Sequence, residues 1–496
     1  MAGATGLFAG FDVGTQGLKG LLIDADSRRV VARASRSYDL LPDLPPGAAE
    51  QHPDTWIEAL SAVGRELFSA SGIDSARLAG IGVSGQQHGL VVLGEDLRPL
   101  RAAKLWCDTS TAKEARELSS TLGRPIATGF TASKVSWLAR HEPQTWRRVK
   151  HVLLPHDYVN LRLAGSAWSE AGDASGTGWF DPVRRAVDAR ACRAIDPRLE
   201  ECLAPLAAAG SVPGCLSAEG AGLLGLPAAR AGVPISTGAG DNMASAIGAG
   251  ATRPGVCVLS LGTSATVFGF SASAVVDPTG AIAPFCDSTG GWLPLLCVMN
   301  ATGAIEEVRA AFGASHAELE REAAALPALP DGPLFLPYFM GERVPDLPHA
   351  RAALLDLRPG SLSRARVYRA CLEGIALNLA HGVERMRALG MTCKELRAVG
   401  GGARNRLWLR IIADACRAVV VPQSELESGA LGAALQALWS VARAAGSAES
   451  CDALVQPWLA ADSEPLEPDA VGSQVLEAQG RRFLAAREAL FGPLPS

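Results

Sequence analysis

The chain has 496 residues, of which 48% are hydrophobic and 20% are charged, a balance typical of a globular protein with two to four domains. Its net charge is −5, from 46 basic and 51 acidic residues without a basic block, which argues against nucleic acid as a partner. No apolar run approaches the roughly 20 residues of a membrane-spanning helix, which argues against a membrane as a partner.

The N-terminal half begins with the pattern of a β-meander. Residues 6–23 alternate short apolar runs with glycine turns, and a polar turn at 24–27 leads into a third apolar run at 30–32. From there, strand-like apolar runs alternate with segments of helical periodicity, as in an α/β fold. These predicted elements are a helix at 54–67, strands at 78–83 and 91–93, helices at 112–122 and 133–141, and a strand at 152–155.

The C-terminal half starts with a second β-meander, at 256–270. The elements predicted after it are helices at 301–312 and 361–389 and a strand at 396–399. The part after about Ala444 has the composition of terminal helices and loops. We therefore predict two domains, over residues 1–250 and 251–496, with the last ~50 residues as terminal helices.

The cysteines bear on the compartment. All eleven are scattered without a CxxC pair or a metal-ligand spacing that includes histidine. This usage favours buried free thiols in a reducing compartment. The N-terminus also lacks the basic region of a signal peptide. A cytoplasmic protein is therefore predicted.

Each half of the chain carries a glycine–threonine tip inside an apolar, glycine-punctuated stretch. Gly14 and Thr15 form the first tip, and Gly262 and Thr263 form the second, half a chain later. A Gly-Thr tip between two β-like runs predicts a tight hairpin whose backbone N–H groups can hold phosphate. Two such tips predict two lobes that bind one polyphosphate, as in a nucleotide-dependent phosphotransferase.

The first hairpin also carries two charged side chains. Asp12 stands at the end of its first strand and Lys19 on its other side. The carboxylate could hold Mg²⁺, usually through water, and the lysine could stand near phosphate as a point charge. The alternative is a surface turn capped by Asp12, which the presence of the second hairpin makes the weaker interpretation.

A strand–triglycine–helix junction spans residues 400–405. Such a junction brings a helix N-terminus and bare backbone to a ligand, although a flexible turn explains a triglycine equally well. Asn405 is a candidate N-cap of the helix predicted at 407–415. Residues 429–434 form a run of small side chains against which a flat ligand could lie, but close helix packing is the favoured interpretation.

The most suggestive single segment is 235–242, which ends in Asp241 and Asn242. A carboxylate at a glycine-flanked strand end, followed by an amide, predicts a general base with a neighbour that orients the substrate. The alternative is that Asp241 caps a helix predicted at 243–248. Both can hold together, because a helix N-terminus favours an anionic transition state.

Two polar clusters are candidates for sugar recognition. Gln87 and His88 lie between glycines after a buried strand, where amide and imidazole groups could hydrogen-bond a polyhydroxy ligand. Trp106 and Asp108 put an aromatic face beside a carboxylate, as in many sugar sites. The alternatives are a structural histidine in the first cluster and a core tryptophan beside a turn aspartate in the second. The segment around His156 is interpreted as structural and left out of the site.

Taken in order, these segments resemble the FGGY family of carbohydrate kinases. The matching segments are 12–19, 86–89, 105–108, 153–158, 240–242, 260–264, 341–345 and 400–405. Segments 129–134, 259–264 and 341–345 are most similar to the D-xylulose kinases of that family. The resemblance implies an α/β, two-domain, actin-like ATPase fold (ribonuclease H-like) with a deep interdomain cleft.

The resemblance also assigns roles to individual residues. Asp241 would be the general base that takes the proton from the attacking sugar hydroxyl, and Asp12 would help to hold Mg²⁺. The sugar site would include Gln87, His88, Trp106, Asp108 and Asn242. The nucleotide site would include Gly14, Thr15, Gln16, Lys19, Gly262, Thr263, Gly401, Gly402, Ala403 and Asn405. The implied reaction transfers the γ-phosphate of ATP to a ketose hydroxyl, with D-xylulose as the first choice of acceptor and D-xylulose 5-phosphate as the product.

Three departures from the xylulose kinase pattern lie near the predicted sugar site. Gln87 stands where the pattern Gln-Met-His-Gly of those kinases has methionine. Ser133 stands where those kinases have a proline. Residues 106–110 read Trp-Cys-Asp-Thr-Ser in place of Trp-Asn-Asp-Gly-Arg. A buried glutamine needs hydrogen bonds that methionine does not need. Another ketose or a polyol, such as sedoheptulose, ribulose or a glycerol-like acceptor, therefore stays open.

Two alternatives lie outside this enzyme class. A non-catalytic sugar-binding regulator on the same fold would not need a base or a metal carboxylate, so the retained Asp12, Lys19 and Asp241 argue against it. A chaperone-type ATPase would need a peptide-binding domain after the second lobe, and little chain remains after Ala444. Dimers are common among such kinases, so a homodimer is left open.

Overall fold

The computed structural model describes residues 5–70, 72–423, 427–459 and 464–493. These residues divide into two compact units. Unit 1 draws its described residues from 1–252, 285–293 and 427–459, and unit 2 draws them from 253–284, 294–426 and 460–496. One segment of unit 1 therefore follows most of unit 2 in the sequence. The predicted division of the chain into domains over residues 1–250 and 251–496 stays a prediction.

The strands and helices follow in chain order. The strands are β1 Leu7–Val13, β2 Gly17–Asp24, β3 Arg29–Ser37, β4 Glu50–Gln51, β5 Leu78–Gly85, β6 Val91–Leu93, β7 Ala103–Lys104, β8 His151–Leu153, β9 Ser169–Glu170, β10 Phe180–Asp181, β11 Ala186–Val187, β12 Leu206–Ala207, β13 Gly214–Cys215, β14 Pro234–Ile235, β15 Ala239–Gly240, β16 Gly255–Leu261, β17 Ala265–Gly269, β18 Ile282–Cys286, β19 Trp292–Val298, β20 Leu334–Leu336, β21 Ala353–Leu355, β22 Cys393–Val399 and β23 Val419–Pro422. The α-helices are α1 Pro53–Ser69, α2 Ala112–Leu122, α3 Thr131–His141, α4 Pro143–Arg148, α5 Pro155–Ala164, α6 Ala171–Ala174, α7 Ala189–Ile195, α8 Ala218–Leu223, α9 Asp241–Gly248, α10 Thr302–Phe312, α11 His316–Ala324, α12 Arg364–Ala388, α13 Arg406–Cys416, α14 Ser428–Ala444, α15 Cys451–Val455 and α16 Ala470–Phe491.

Unit 1 is built on a seven-stranded sheet. Six of its strands follow the order β13-β14-β5-β1-β2-β3, and β15 also pairs with β5. Strands β1 and β2 form an antiparallel hairpin, whereas β1 and β5 are parallel, with Asp12 opposite Ser84. Helix α1 contributes Trp56, Leu60 and Val63 to the buried core beside this sheet. The β-meander predicted at the N-terminus is confirmed.

Helix α14 packs on the same sheet with its backbone very close to the strands. A β-carbon on Gly10 would lie 2.0 Å from the carbonyl oxygen of Ala430, and one on Gly82 would lie 1.9 Å from that of Ala433. Only glycine fits at these two strand positions, and the glycines and alanines among residues 429–434 let the helix approach. The close-packing interpretation of this small-residue run is confirmed.

Unit 2 is built on a six-stranded sheet in the order β18-β19-β17-β16-β22-β23. As in unit 1, an antiparallel hairpin (β16–β17) lies beside a parallel strand (β22), with Ser260 opposite Val399. Ile305, Tyr368 and Trp408, from helices α10, α12 and α13, are buried in one core cluster with the strands. The two units therefore share one strand arrangement around their Gly-Thr tips.

The predicted elements differ from the observed ones mainly at their ends. Helix α2 has the predicted bounds, whereas the strand predicted at 152–155 ends at Leu153. Pro155 is instead the first residue of α5. Proline suits that position because the first turn of a helix has no partner for an N–H, and its fixed φ is helical.

The cysteine prediction holds for pairing and largely for burial. All eleven cysteines are free, and eight of them are buried. None of the helices in the described part of the chain combines the length and the apolarity that crossing a membrane requires.

Candidate active site

The first Gly-Thr tip closes the β1–β2 hairpin of unit 1, as predicted. The N–H of Gly14 donates to the carbonyl of Gly17 (3.0 Å). The Tyr38 hydroxyl donates to the carbonyl of Gly14 and the Gln51 side chain to that of Thr15, both at 2.7 Å. Hydrogen bonds from protein donors therefore stabilise the conformation of the tip.

Asp12 is the last but one residue of strand β1, beside this tip. Its Oδ1 accepts a hydrogen bond from the Ser84 hydroxyl (2.7 Å), and a β-carbon on Gly429 would lie 2.6 Å from its Oδ2. Burial raises the pKa of Asp12, and the contributions of Ser84 and Lys19 lower it only in part. Lys19 and Gln16 are themselves exposed. A desolvated carboxylate with room beside one oxygen fits a divalent cation that is held mainly through water.

Asp241 begins helix α9 directly after β15, which pairs with β5 in parallel. The N-cap of this helix is Gly240, so the capping role predicted for Asp241 is wrong and the helix begins two residues earlier. The Asp241 Oδ1 accepts the backbone N–H (2.8 Å) and the side-chain Nδ2 (3.1 Å) of Asn242. Burial first, and then the carboxylates of Asp12 and Asp173, raise the pKa of Asp241 to about 8. In its ionised form such a carboxylate is a stronger base than an ordinary aspartate, which suits it to take up a proton during a reaction.

Gln87 contacts the same asparagine. Its Oε1 accepts a hydrogen bond from Asn242 Nδ2 (2.6 Å). Asp241 fixes the orientation of both amides. Its Oδ1 accepts a backbone N–H, so the Asn242 side-chain atom beside that oxygen is the donor Nδ2. Gln87 must then turn its acceptor, Oε1, towards the same Nδ2. Gln87 is 4% exposed, and among the described residues its Nε2 has no hydrogen-bond partner. An unpaired buried donor costs free energy unless a ligand accepts its hydrogen bond.

His88 is buried and has a backbone φ of 64°, in the left-handed region that residues other than glycine rarely adopt. Its ring packs against Phe130 and Phe285, with centroid distances of 5.4 and 5.3 Å. Its backbone N–H donates to Oδ1 of Asp173 (3.3 Å), a residue that no sequence pattern had singled out. The available signal was the run 170–176, in which two carboxylates alternate with two glycines.

Trp106 and Asp108 have opposite environments. Trp106 is 45% exposed and its Nε1 donates to Thr15 Oγ1 (3.0 Å), so the core-tryptophan alternative is wrong. Asp108 is fully buried, and its carboxylate accepts hydrogen bonds from Ser110 Oγ (2.5 Å) and Lys104 Nζ (3.1 Å). Burial would raise the pKa of Asp108, but these bonds, that of Ser110 first, lower it. Asp108 therefore stabilises the loop that carries Trp106, as the turn-aspartate alternative predicted.

The second Gly-Thr tip closes the β16–β17 hairpin of unit 2, as predicted. The N–H of Gly262 donates to the carbonyl of Ser264 (3.0 Å). The carbonyls of Gly262 and Thr263 accept the N–H groups of Thr302 and Ala301, each at 3.0 Å, at the start of α10. Both tip residues are exposed.

The triglycine of unit 2 combines an open position with a packed one. A β-carbon on Gly402 would lie 2.7 Å from the Trp408 ring, whereas no described atom lies within 4 Å of one on Gly401. Ala403 is half-buried. Asn405 is the N-cap of α13, because its Oδ1 accepts the N–H of Trp408 (2.9 Å). The N-cap interpretation is confirmed, and the open backbone at Gly401 is the part of this junction that a ligand could approach.

Each unit brings its predicted residues to one edge of its sheet. In unit 1, Asp12 lies near the C-terminal end of β1. The ends of the parallel strands β5 and β15 are followed by Gln87 and His88, and by Asp241 and Asn242. In unit 2, the second tip and the triglycine follow the ends of the parallel strands β16 and β22. In open α/β sheets, ligands bind beyond these strand ends.

Known proteins resemble the chain along most of its length. The model of the N-terminal domain of the FGGY family of carbohydrate kinases matches residues 7–248, and that of the C-terminal domain matches residues 257–441. A xylulose kinase from Haemophilus influenzae is 37% identical over 88% of this chain and 90% of its own length. One from Streptomyces coelicolor is 38% identical, over 88% and 89%. The solved structure of a xyloylose kinase from Brucella ovis, 32% identical, covers 98% of this chain and 99% of its own with a TM-score of 0.90.

Proposed function

Because this chain belongs to the FGGY family of carbohydrate kinases, whose two-domain fold it has, we propose that it transfers the γ-phosphate of ATP to a hydroxyl of D-xylulose. The family makes it a carbohydrate kinase. The choice of acceptor is supported by the names of the relatives that are 37% and 38% identical. The choice of donor is supported by the family and by the Gly-Thr tips.

The observation that carries the proposal is the environment of Asp241. Its carboxylate is desolvated, has a raised pKa of about 8 and is held by Asn242 at the end of a strand. In the proposed step Asp241 accepts the proton of the sugar hydroxyl while the hydroxyl oxygen attacks the γ-phosphorus. The bond from that phosphorus to the bridging oxygen breaks, and ADP leaves with the electron pair. Alignment and charge neutralisation supply most of the acceleration in such a transfer.

Asp12 is the residue proposed to hold Mg²⁺. In the described part of the chain, no group of three or more potential ligand side chains is suited to a metal ion. Mg²⁺ fits a site with the single carboxylate of Asp12, because this ion usually keeps several waters and takes one or two carboxylates together with substrate phosphates. When bound, the ion would neutralise charge on the transferring phosphoryl group.

The remaining site residues are grouped by the ligand that each would contact, the sugar or the nucleotide. On the sugar side we propose Gln87, His88 and Asn242, with Trp106 at the exposed rim and Asp108 in a supporting role. On the nucleotide side, Gly14, Thr15, Gln16, Lys19, Gly262, Thr263, Gly401, Gly402, Ala403 and Asn405 stay predictions. For Asn405 the contact would come from the backbone, since its side chain caps α13.

The test is ADP release, measured by a coupled assay against a panel of ketoses, aldoses and polyols. We expect D-xylulose to give the highest kcat/KM. Turnover no faster with any sugar than with water would end the proposal. Turnover with ribulose, sedoheptulose or glycerol, but not with D-xylulose, would keep the reaction and change the acceptor. That second result is the one that the unpaired amide of Gln87 makes worth testing.

A further inference from the structure

The imidazole of His88 occupies space that one glycine leaves for it. A β-carbon on Gly176 would lie 1.7 Å from Cε1, 2.2 Å from Nδ1 and 2.5 Å from Nε2 of this ring. No real β-carbon approaches atoms this closely, so any residue but glycine at 176 would displace the ring. The two phenylalanine rings of Phe130 and Phe285 also pack against it, which limits the directions in which it could move.

A buried carboxylate sets the polar side of the same pocket. Asp173 is fully buried, and its Oδ1 accepts the backbone N–H of His88 (3.3 Å) and lies 3.4 Å from the ring Nδ1. One oxygen therefore contacts both the backbone and the ring of this histidine. This double contact fits the left-handed backbone of His88, a conformation that persists only where the surroundings hold it.

A second histidine contacts the other oxygen of Asp173. His156 Nδ1 lies 3.1 Å from Asp173 Oδ2, and its Nε2 lies 3.0 Å from Asp157 Oδ1. Burial would lower the pKa of His156, but the two carboxylates, Asp157 first, raise it well above the usual value. Burial would raise the pKa of Asp173, but its bonds to His156 and His88 lower it. The second oxygen of Asp173 therefore has its own imidazole partner, and this contact favours the charged forms of both groups.

The short segment that carries Asp173 and Gly176 is anchored independently of His88. Glu170 accepts the N–H groups of Gly172 (2.7 Å) and Asp173 (2.6 Å), and the Ser288 hydroxyl donates to it (3.0 Å). The N–H of Gly176 in turn donates to the carbonyl of Asp173 (3.0 Å). The positions of the carboxylate and of the glycine are therefore set together.

We propose that Asp173 and Gly176 are positioning residues for the sugar site, which hold the His88 imidazole in the one orientation that receives the acceptor sugar. This inference rests on the proposed function, in which His88 binds the ketose. Asp173 supplies the polar contacts that orient the ring, and Gly176 supplies the space in which it lies. Neither residue is proposed to touch the sugar.

The alternative is that both residues only stabilise the fold, and the two roles predict different kinetics. If the residues act through His88, their substitution changes the KM for the ketose and leaves the KM for ATP unchanged. If they only stabilise the fold, both constants and the melting temperature change together. A displacement of about 1 Å in a positioned group can cost about a hundredfold in rate, so the effect on the ketose is measurable.

The test compares Gly176→Ala with Gly222→Ala in the full chain. Gly222 lies in α8 of the same unit, and no described atom lies within 4 Å of a β-carbon there. We expect Gly176→Ala to raise the ketose KM at least about tenfold with the ATP KM within about twofold, and Gly222→Ala to change neither. Asp173→Asn, which keeps the shape and removes the charge, should change the ketose KM in the same direction.

A double substitution separates positioning from stability. In a His88→Ala background the ring is gone, so Gly176→Ala should add less than about twofold to the loss of ketose kcat/KM. Additive losses, or an equal rise in the ATP KM, would overturn the inference and leave the kinase proposal intact. If the wild-type chain releases ADP with no sugar of the panel, both the inference and the proposed function fail.

Discussion

The substitution Asp241→Asn should make the protein more stable and nearly inactive. Asparagine has the shape of aspartate but cannot take the proton of a hydroxyl, so sugar-dependent ADP release should fall at least about a hundredfold. Nucleotide binding, measured by calorimetry, should be largely retained, since Asp241 is assigned to the sugar side. The stability gain follows from the raised pKa of this carboxylate.

The sign and the size of that gain follow from proton linkage. Between pH about 4 and about 8 the folded protein keeps the proton of Asp241, whose pKa is raised from 3.8 to about 8, and the unfolded chain loses it. The folded state thus binds more protons, and the wild type loses stability as pH rises through this window. A pKa shift of this size corresponds to at most about 6 kcal/mol of folding free energy. Because solvent screens the half-buried side chain, we expect the variant to gain about 2 kcal/mol of stability.

The assay is denaturant unfolding of the wild type and of Asp241→Asn at pH 5 and pH 8.5. We expect the variant to gain more stability at pH 8.5 than at pH 5. Asp39→Asn, at an exposed carboxylate of the same unit, serves as the matched control and should change neither stability nor turnover. Near-normal turnover of Asp241→Asn would place the base elsewhere. An equal stability at both pH values would refute the argument from desolvation.

Three other substitutions test residues beside the proposed base, beside the proposed metal carboxylate and at the triglycine junction. Gln87→Met removes an unpaired buried donor and also one acceptor of Asn242, so the two effects oppose each other and the free energy of unfolding should change by less than about 1 kcal/mol. Sugar kcat/KM should fall about tenfold, because Asn242 keeps only Asp241 as an acceptor; better use of D-xylulose would contradict this and favour an apolar side chain at this position. Gly429→Ala puts a β-carbon 2.6 Å from Asp12 Oδ2, so the Mg²⁺ concentration for half-maximal turnover should rise several-fold. An unchanged Mg²⁺ dependence would argue against a role of Asp12 in holding the ion. Asn405→Ala removes an N-cap and should lower the free energy of unfolding by about 1 kcal/mol, with the ATP KM within about threefold of the wild type. A larger rise in that KM would show that the side chain itself binds nucleotide.

The local patterns of the chain predicted the elements that carry the site. Both Gly-Thr tips close hairpins, and helix α2 has its predicted bounds. These features depend on neighbours in the sequence: the hydrophobic period, the cap and the turn residue. The same is true of the Asn405 cap, whose partner is only three positions away.

The environments of Trp106 and Asp108 could not be predicted in this way. The same short motif contains an exposed ring and a fully buried carboxylate, and the difference comes from partners elsewhere in the chain, such as Thr15 for the ring. A sequence pattern shows that an aromatic group and a carboxylate are close together. Which of them faces solvent depends on packing, and a motif of three residues does not contain that information.

The sequence by itself determined the class of fold and the family, because both rest on short segments whose order along the chain is visible. Only the tertiary structure decided what contacts the residues of the predicted site. Gln87 meets Asn242 from 155 positions away, and His88 meets Asp173 from 85 positions away. Helix α14 joins unit 1 from beyond most of unit 2. Such contacts arise when strands pair in parallel and helices pack on them, and no local period or spacing encodes which distant residues then come together.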